Sequence, residues 1–348
     1  MKSILITGGA GFIGSAFVRF LLRKTDYTVI NIDKLTYAGC LKNLAKYQTH
    51  SRHIFIHSDI TNTSVLQNIF EQYQPIGIIH LAAESFVDKA ISEPADFFHS
   101  NVLGTYLLLE QTLKYYQRLP ENLQKTFRFL YVSTDEVFGS LTPNEPPFDE
   151  NSPIRPNNPY AASKAAAEQF VHAWHQTYAL PVLITNACNN YGEYQHTEKL
   201  IPTVIQHALL GKKIPMYGDG KQIRDWIYVD DTVQAIWQIF QYAQVGERFL
   251  IGAECQLANH TLITTLCHLL DKYYPSNQNP SISGSLKSYT QLITSVNDRL
   301  GHDRRYAVNP LKLKQKLNWR AEMSFEIGIE KTLLHYLEQT HSLKTLDE

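Results

Sequence analysis

The chain has 348 residues, 44% hydrophobic and 19% charged, so it is long enough for two lobes and too apolar to be disordered. Its 32 Lys and Arg and 33 Asp and Glu give a net charge of −1, which argues against a nucleic-acid or anionic-membrane partner. The sequence has neither CxxC spacing, nor a membrane-length apolar run, nor a secretion signal. We therefore expect a cytoplasmic protein without structural disulfides or a metal site.

The first half of the chain alternates short apolar runs with helical periods. The patterns predict strands at 3–7, 28–33, 53–57, 77–82, 128–133 and 181–186, and helices at 12–24, 64–73, 94–116 and 160–177. Strands separated by helices of this length indicate βαβ units and one parallel sheet. We predict an α/β fold, with a Rossmann-type doubly wound parallel sheet and a smaller C-terminal α/β substrate-binding lobe.

The second half is less regular, with helices predicted at 198–210, 230–242 and 325–338. We place the nucleotide-binding domain at 1–187, with later returns at roughly 226–250. Residues 188–348 would mainly form the second, substrate-binding domain.

A glycine-rich loop joins the first predicted strand to the first predicted helix. Gly9, Gly11 and Gly14 fit the dinucleotide fingerprint, and Gly8, Gly11 and Gly14 fit its wider-spaced variant. Glycine allows the backbone to approach a pyrophosphate closely, and the helix N-terminus supplies amide donors. The strand before the loop and the helix after it favour a dinucleotide site over a simple turn.

An acidic residue, Asp33, ends the second predicted strand, roughly 20 residues beyond the glycine loop. A carboxylate there can accept hydrogen bonds from ribose hydroxyls and would repel a 2′-phosphate. The sequence therefore favours NAD over NADP, although Lys34 beside it keeps NADP open.

Tyr160 and Lys164 lie one helical turn apart at the start of a predicted helix. An ammonium group near a phenol stabilises the phenolate, so we expect Lys164 to lower the pKa of Tyr160. Such a tyrosine can accept a hydroxyl proton while hydride leaves the same carbon. This spacing alone occurs in many helices. The glycine loop elsewhere in the chain is what favours a catalytic interpretation of the pair.

Two adjacent acids, Asp135 and Glu136, follow Ser133 and Thr134 at the end of the fifth predicted strand. The carboxyl ends of parallel strands face the ligand crevice. Mutual repulsion and burial would raise at least one carboxyl pKa, so that one group serves as acid and the other as base. A solvated acidic turn or a helix N-cap is the alternative interpretation.

Several strings of the sequence resemble the extended short-chain dehydrogenase/reductases, or NAD-dependent epimerases and dehydratases. They are GGAGFIG at 8–14, DKLTYAG at 33–39, HLAAES at 80–85, STDEVFG at 133–139 and the pair Tyr160 and Lys164. Further strings, NNYG at 189–192, EKLIP at 198–202, QIRDW at 222–226 and GHDRRY at 301–306, are most similar to the dTDP-glucose 4,6-dehydratases. The resemblance extends over nearly the whole chain.

The resemblance implies a reaction, a lyase step of deoxysugar biosynthesis. Tyr160 would remove the C4 hydroxyl proton of the sugar while hydride passes to NAD⁺, and Thr134 would bind the C4 oxygen. Glu136 would then take the C5 proton, and Asp135 would protonate the departing C6 hydroxyl. Hydride would finally return to C6, giving a 4-keto-6-deoxy sugar. That elimination requires both an acid and a base, which agrees with the paired carboxylates.

The resemblance also implies two sets of binding residues and a homodimer. The NAD site would comprise Gly8, Gly11, Phe12, Ile13, Gly14, Asp33, Lys34, Leu35, Thr36, Asp59, Ile60, Leu81, Ala82, Ala83, Ser100, Ser133, Tyr160, Lys164 and Asn190. The nucleotide sugar would be held by Ser85, Thr134, Asn189, Lys199, Leu200, Pro215, Tyr217, Arg224, Asn259, Arg299 and His302. The dimer would form through the apolar helices that contain residues 103–109 and 165–174.

The sequence also departs from the usual family pattern, for example at Phe86, Glu193 and Leu300. These departures affect the expected sugar-nucleotide pocket rather than the proposed catalytic groups. A 4,6-dehydratase of UDP-glucose or another nucleotide sugar therefore stays open, because thymine and uracil differ by one methyl group. A 4-epimerase and a non-catalytic NAD-binding protein are further alternatives, against which the two acids argue.

Overall fold

The structure is a computed structural model that describes residues 2–282 and 286–344. Its strands are β1 (Ser3–Thr7), β2 (Thr28–Asp33), β3 (His53–His57), β4 (Gly77–His80), β5 (Arg128–Thr134), β6 (Val182–Ala187), β7 (Asn189–Tyr191), β8 (Ile214–Tyr217), β9 (Ile223–Tyr228), β10 (Arg248–Ile251), β11 (Gln256–Ala258) and β12 (Ile293–Val296). Its α-helices are α1 (Phe12–Lys24), α2 (Thr63–Tyr73), α3 (Val87–Ser92), α4 (Pro94–Phe97), α5 (Gly104–Arg118), α6 (Glu121–Gln124), α7 (Pro159–Tyr178), α8 (Leu200–Leu209), α9 (Val229–Tyr242), α10 (Asn259–Tyr273), α11 (Leu311–Leu317) and α12 (Phe325–Lys344).

Seven parallel strands form the main sheet, in the order β10-β6-β5-β4-β1-β2-β3. The strand order reverses beside β1, which makes this a Rossmann-type, doubly wound arrangement. Ligands bind such sheets at the carboxyl ends of the strands near the reversal. The predicted fold class is confirmed, and the sheet directs the ends of β1, β4 and β5 toward one crevice.

Helices cover both faces of the main sheet and bury its apolar side chains. On one face α1 and α9 pack against the sheet, with Phe17 and Ile236 fully buried. On the other face α2, α5 and α7 do the same, with Leu108 and Val171 fully buried. The strands therefore read as continuous apolar runs, as expected for a sheet buried on both sides.

The second half contains a separate core beside a three-stranded sheet, β11-β9-β7, and a two-stranded sheet, β12-β8. Helices α8, α10 and α12 surround this core, which includes the buried side chains of Trp226 and Tyr228. The chain returns to the main sheet at β10, which pairs with β6. Among the described residues, no helix is both long enough and apolar enough to cross a membrane.

Some predicted elements differ from the observed ones in physically informative ways. The helix predicted at 94–116 is interrupted by a π-helical segment, Phe98–Leu103, between α4 and α5. Helix α2 begins at Thr63, and the side chain of Asn62 caps it by accepting a hydrogen bond from the Val65 amide. Strands β7 to β12 have between three and six residues, and they carry too little periodicity to be read from sequence.

Candidate active site

A cleft with a volume of about 280 Å³ opens at the carboxyl ends of the central strands. Most of the predicted site residues line it. They are Gly8, Gly11, Phe12, Ile13, Gly14, Asp33, Lys34, Thr36, Asp59, Ile60, Leu81, Ala82, Ala83, Ser85, Ser100, Ser133, Thr134, Asp135, Glu136, Tyr160, Lys164, Asn189, Asn190 and Lys199. The glycine loop and the two acids therefore share one cavity.

The glycine loop is built for close backbone approach. Gly8 has φ +72°, and a Cβ there would lie 2.6 Å from the Ala82 amide nitrogen. A Cβ on Gly14 would lie 2.0 Å from the Gly8 carbonyl oxygen. Helix α1 follows with Gly11 as its N-cap, and no side chain caps it. The uncapped amides at this helix start suit a pyrophosphate.

Asp33 at the end of β2 is held by backbone amides. One carboxylate oxygen accepts a hydrogen bond from the Ala10 amide at 2.9 Å, and the other accepts one from the Leu35 amide at 2.8 Å. Leu35, at φ +52°, contributes this amide without lining the cleft. Each oxygen retains a further lone pair, so this fixed carboxylate can still accept bonds from ribose hydroxyls.

Lys34 is paired with acidic groups of the protein. Its Nζ donates to Ser100 Oγ at 2.6 Å and lies 3.5 Å from Asp59 and 3.8 Å from Glu84. A lysine balanced by two carboxylates is a poor receptor for an additional 2′-phosphate. The arrangement therefore supports NAD rather than NADP at this site.

Asp135 is the most deeply enclosed acid of the cleft, with 1% of its surface exposed. Its Oδ1 accepts a hydrogen bond from Thr134 Oγ1 at 3.2 Å, while Oδ2 has no hydrogen-bond partner among the described residues. Burial, followed by the charges of Glu136 and Asp225, raises the pKa of Asp135 well above its ordinary value. Asp135 is therefore suited to carry a proton and to act as an acid.

Glu136 lies on the 3₁₀ turn Asp135–Phe138, which Thr134 caps by accepting a hydrogen bond from the Glu136 amide. Unlike Asp135, Glu136 is only partly buried. Its Oε2 accepts a hydrogen bond from Asn158 Nδ2 at 3.3 Å. One carboxyl of the pair is thus enclosed and the other borders the open cleft, which separates an acid from a base.

Tyr160 lies in the first turn of α7 and faces the two acids. Its enclosure in the cleft, together with the charges of Glu136 and Asp135, raises its pKa above the ordinary tyrosine value, and a hydrogen bond with Thr134 acts in the opposite direction. The expectation of a lowered tyrosine pKa is wrong. Burial and the negative charges of Glu136 and Asp135 disfavour the phenolate.

Lys164 is 3% exposed and binds the protein backbone instead of the phenol. Its Nζ donates to the Val132 carbonyl at 2.8 Å and lies 4.2 Å from the ring centroid of Tyr131. Burial lowers the pKa of Lys164 to about 7, and the charge of Glu168 acts in the opposite direction. The lysine is therefore poised to gain or lose a proton near neutral pH.

The other predicted substrate residues lie outside the cavity lining, on the second half of the chain. They are Leu200, Pro215, Tyr217, Arg224, Asn259, Arg299 and His302. Arg224 is buried, its guanidinium lies 4.3 Å from the Tyr306 ring centroid, and its charge acts on Glu136 and Asp135. His302 Nδ1 lies 2.5 Å from Asp298 Oδ1.

Three contacts connect Tyr217, Arg299 and Lys199 to the first half of the chain. Tyr217 Oη donates to Asp88 Oδ2 at 3.3 Å, and Arg299 Nη1 lies 3.6 Å from Asp88 Oδ1. Lys199 Nζ donates to the Ser85 carbonyl at 2.7 Å. Of the cationic groups predicted to bind a diphosphate, Lys199 therefore lines the cleft and Arg299 is paired with Asp88 of α3.

Several residues of the cleft are not apparent from the sequence patterns. Glu84, Cys188, Gln195, His196 and Glu198 all line it. Each follows the end of a strand, either β4 or the β6 and β7 pair, which is the one signal that could have identified them. Asn158 lies just before α7, where the preference for asparagine at N-caps predicts a structural role only.

Comparisons with known proteins agree with this geometry. The family model described as GDP-mannose 4,6 dehydratase matches residues 5–332. The dTDP-glucose 4,6-dehydratase of Haemophilus influenzae is 48% identical over 342 residues, which are 98% of this chain and 100% of that protein.

Solved structures show the same likeness over the whole chain. A dTDP-glucose 4,6-dehydratase from Streptomyces venezuelae, solved with NAD and dTDP bound, has a TM-score of 0.87 and 37% identity, with 98% of each chain covered. The dTDP-glucose 4,6-dehydratase from Bacillus anthracis, in complex with NAD, has a TM-score of 0.84 and 37% identity over 98% of each chain.

Replacement of Lys164 by Met should stabilise the ligand-free fold below about pH 7. The wild type must bury an ammonium group there, and this cost declines as pH rises from about 7, its pKa in the fold, to 10.5, its ordinary value. We expect the variant to melt at a higher temperature than the wild type in acid, with the difference closing toward high pH.

Thermal unfolding followed by circular dichroism across this pH range measures the difference. Lys125→Met is the matched control, because Lys125 is 71% exposed and should give no such trend. A melting difference for Lys164→Met that stays constant with pH would contradict the assignment of a buried, depressed lysine pKa.

Proposed function

The chain belongs to the GDP-mannose 4,6-dehydratase family, and we propose that it converts dTDP-glucose to dTDP-4-keto-6-deoxy-glucose as an NAD-dependent dehydratase. The observation that carries this proposal is the enclosed acid Asp135 beside the accessible carboxylate Glu136, within the cleft that holds Tyr160. A simple C4 oxidation or epimerisation needs no such pair, whereas loss of water needs both an acid and a base.

The residues of the first half fit NAD as the cofactor. The spaces that a Cβ would fill at Gly8 and Gly14 allow the pyrophosphate to approach the backbone, and the fixed Asp33 carboxylate faces the ribose position. When bound, NAD supplies the acceptor for C4 hydride and the donor that returns it to C6. Ser100, Asp59 and the remaining predicted residues of this group, apart from Leu35, line the same cavity.

Tyr160 is the proposed acceptor of the C4 hydroxyl proton. To accept this proton Tyr160 must be a phenolate, which enclosure and the two acids disfavour by raising its pKa. The positive charges of Lys164 and of NAD⁺, when bound, would offset this cost, so that the phenolate takes the proton as C4 is oxidised. Thr134, which hydrogen-bonds Tyr160, would contact the same C4 oxygen. Lys164 supplies the nearby cation on the same helix.

The two carboxyls then carry the elimination. The C4 ketone acidifies the C5 proton, Glu136 takes that proton, and the electron pair forms a C5–C6 double bond as the C6–O bond breaks. Asp135 gives its proton to the departing hydroxyl, which leaves as water. The raised pKa of Asp135 keeps this proton in place until the C6 oxygen needs it. When hydride returns to C6, Glu136 gives a proton back to C5, which completes the 4-keto-6-deoxy sugar.

The substrate is proposed to be held by Lys199, Arg224 and Arg299, whose cations suit a diphosphate. The donor test offers purified protein dTDP-glucose and UDP-glucose in parallel, with products identified by mass spectrometry and NMR. We expect the 4-keto-6-deoxy product, with a preference of about 10- to 200-fold in kcat/KM for the thymidine donor. This is the discrimination that contact with one additional methyl group provides. Absence of product from dTDP-glucose, or a preference for UDP-glucose, would overturn the assignment.

Glu136→Gln should separate the oxidation from the elimination. The amide cannot take the C5 proton, so solvent deuterium should not enter C5, while C4 oxidation continues and the reduced cofactor accumulates. Tyr160→Phe is the matched variant, because it should suppress the C4 oxidation itself by about 10²- to 10⁴-fold. NMR of the recovered sugar and absorbance of the cofactor measure the two steps. Full turnover by Glu136→Gln would remove its role as base.

We also propose that two copies of the chain associate through α5 and α7. Aromatic side chains lie along this face, including Tyr106, Phe170, which is 36% exposed, and Tyr178, which is 46% exposed. Contiguous apolar surface of this kind is typical of an interaction site. A cytoplasmic location remains part of the proposal.

Phe170→Glu should therefore convert a dimer to a monomer, because it places a charge in the apolar contact. Mass in solution, measured by light scattering over a range of concentrations, gives the result. Tyr242→Glu is the control, since Tyr242 is 71% exposed at the end of α9 on the opposite face of the sheet. A wild-type protein that keeps the mass of a monomer at every concentration would contradict the proposed dimer.

A further inference from the structure

Asn158 makes two hydrogen bonds that serve different parts of the cleft. Its Oδ1 accepts a bond from the Ala161 amide at 2.8 Å and so caps α7. Its Nδ2 donates to Glu136 Oε2 at 3.3 Å. Only 6% of the Asn158 surface is exposed, so water competes little for either bond. A side-chain amide can accept and donate in this way at the same time.

The second bond acts on a side chain that otherwise has freedom to move. Glu136 borders an open cleft, and a glutamate held by packing alone would sample several rotamers. Proton abstraction requires the carboxylate within hydrogen-bond reach of the proton that it removes. A donor fixed to the first turn of α7, two residues before Tyr160, would therefore orient the carboxylate relative to the tyrosine.

The neighbouring Asn157 serves a different purpose. Its Nδ2 donates to Asp303 Oδ1 at 2.6 Å, and the Asp303 carbonyl accepts a bond from Arg224 Nη2 at 3.0 Å. Asn157 is thus linked through Asp303 to Arg224, a proposed substrate-binding residue, whereas Asn158 contacts Glu136, the proposed general base. Two adjacent asparagines therefore offer a matched comparison within one loop.

We propose that Asn158 is a positioning residue for Glu136, which it orients toward C5 of the sugar, in addition to its role as the helix cap. The inference rests on the proposed dehydratase function. Serine at this position would still cap α7 but is too short to place the same donor on Glu136. Aspartate would also cap α7, and it would replace the donor with a second negative charge.

The experiment compares Asn158→Ser, Asn158→Asp and Asn157→Ser with the wild type on dTDP-glucose. For Asn158→Ser we expect kcat to fall about 10-fold, the loss of one hydrogen bond to a charged group, with KM and melting temperature close to wild type. The kinetic isotope effect with dTDP-glucose deuterated at C5 should increase, because C5 proton removal becomes slower. Asn158→Asp should show the same changes more strongly.

Asn157→Ser should instead raise KM and leave the C5 isotope effect unchanged. An unaltered kcat and isotope effect in Asn158→Ser would overturn the inference. So would a fall in rate that follows the loss of melting temperature in every variant, since capping alone would explain it. Failure of the proposed function is distinct, because the wild type itself would then yield no product from dTDP-glucose.

Discussion

A carboxyl that is buried beside a second carboxyl is the constraint on which the cleft depends. Asp135 follows β5, whose last residue pairs with Ala187 of β6, so the sheet fixes its backbone deep in the protein. Two adjacent carboxyls in such a place cannot both ionise at low cost. Burial raises the pKa of the enclosed one, Asp135, well above its ordinary value, which supports the proposed division of acid and base between the two carboxyls.

The other elements of the site compensate for that charge arrangement. Helix α7 supplies a tyrosine whose pKa is raised by burial and by the nearby acids, and a buried lysine that binds the Val132 carbonyl. Its N-cap, Asn158, contacts the accessible acid. The second half adds the buried Arg224, whose positive charge opposes the two acids. The site therefore contains several enclosed ionisable groups, and each of them costs stability when it is charged.

The sequence was sufficient to predict those site residues that directly follow strongly apolar strands. The glycine loop, Asp33 and the two acids each come directly after such a strand, and a parallel sheet brings strand ends together. The pKa direction of Tyr160 could not be predicted, because it depends on burial and on the charges of Glu136 and Asp135 rather than on Lys164 one turn along the helix. The contact of Asn158 with Glu136 depends on the path of the loop between β5 and α7, which no local pattern specifies.

The central claim is that Asp135 carries a proton at neutral pH in the folded enzyme. Isotope-edited infrared spectroscopy of protein with ¹³C-labelled aspartate, with the Asp135→Asn spectrum subtracted, measures this directly. The account predicts a carbonyl band of a protonated carboxyl at neutral pH that is absent from the variant. A difference spectrum that contains only carboxylate bands at that pH would contradict it, because the elimination would then lack its acid.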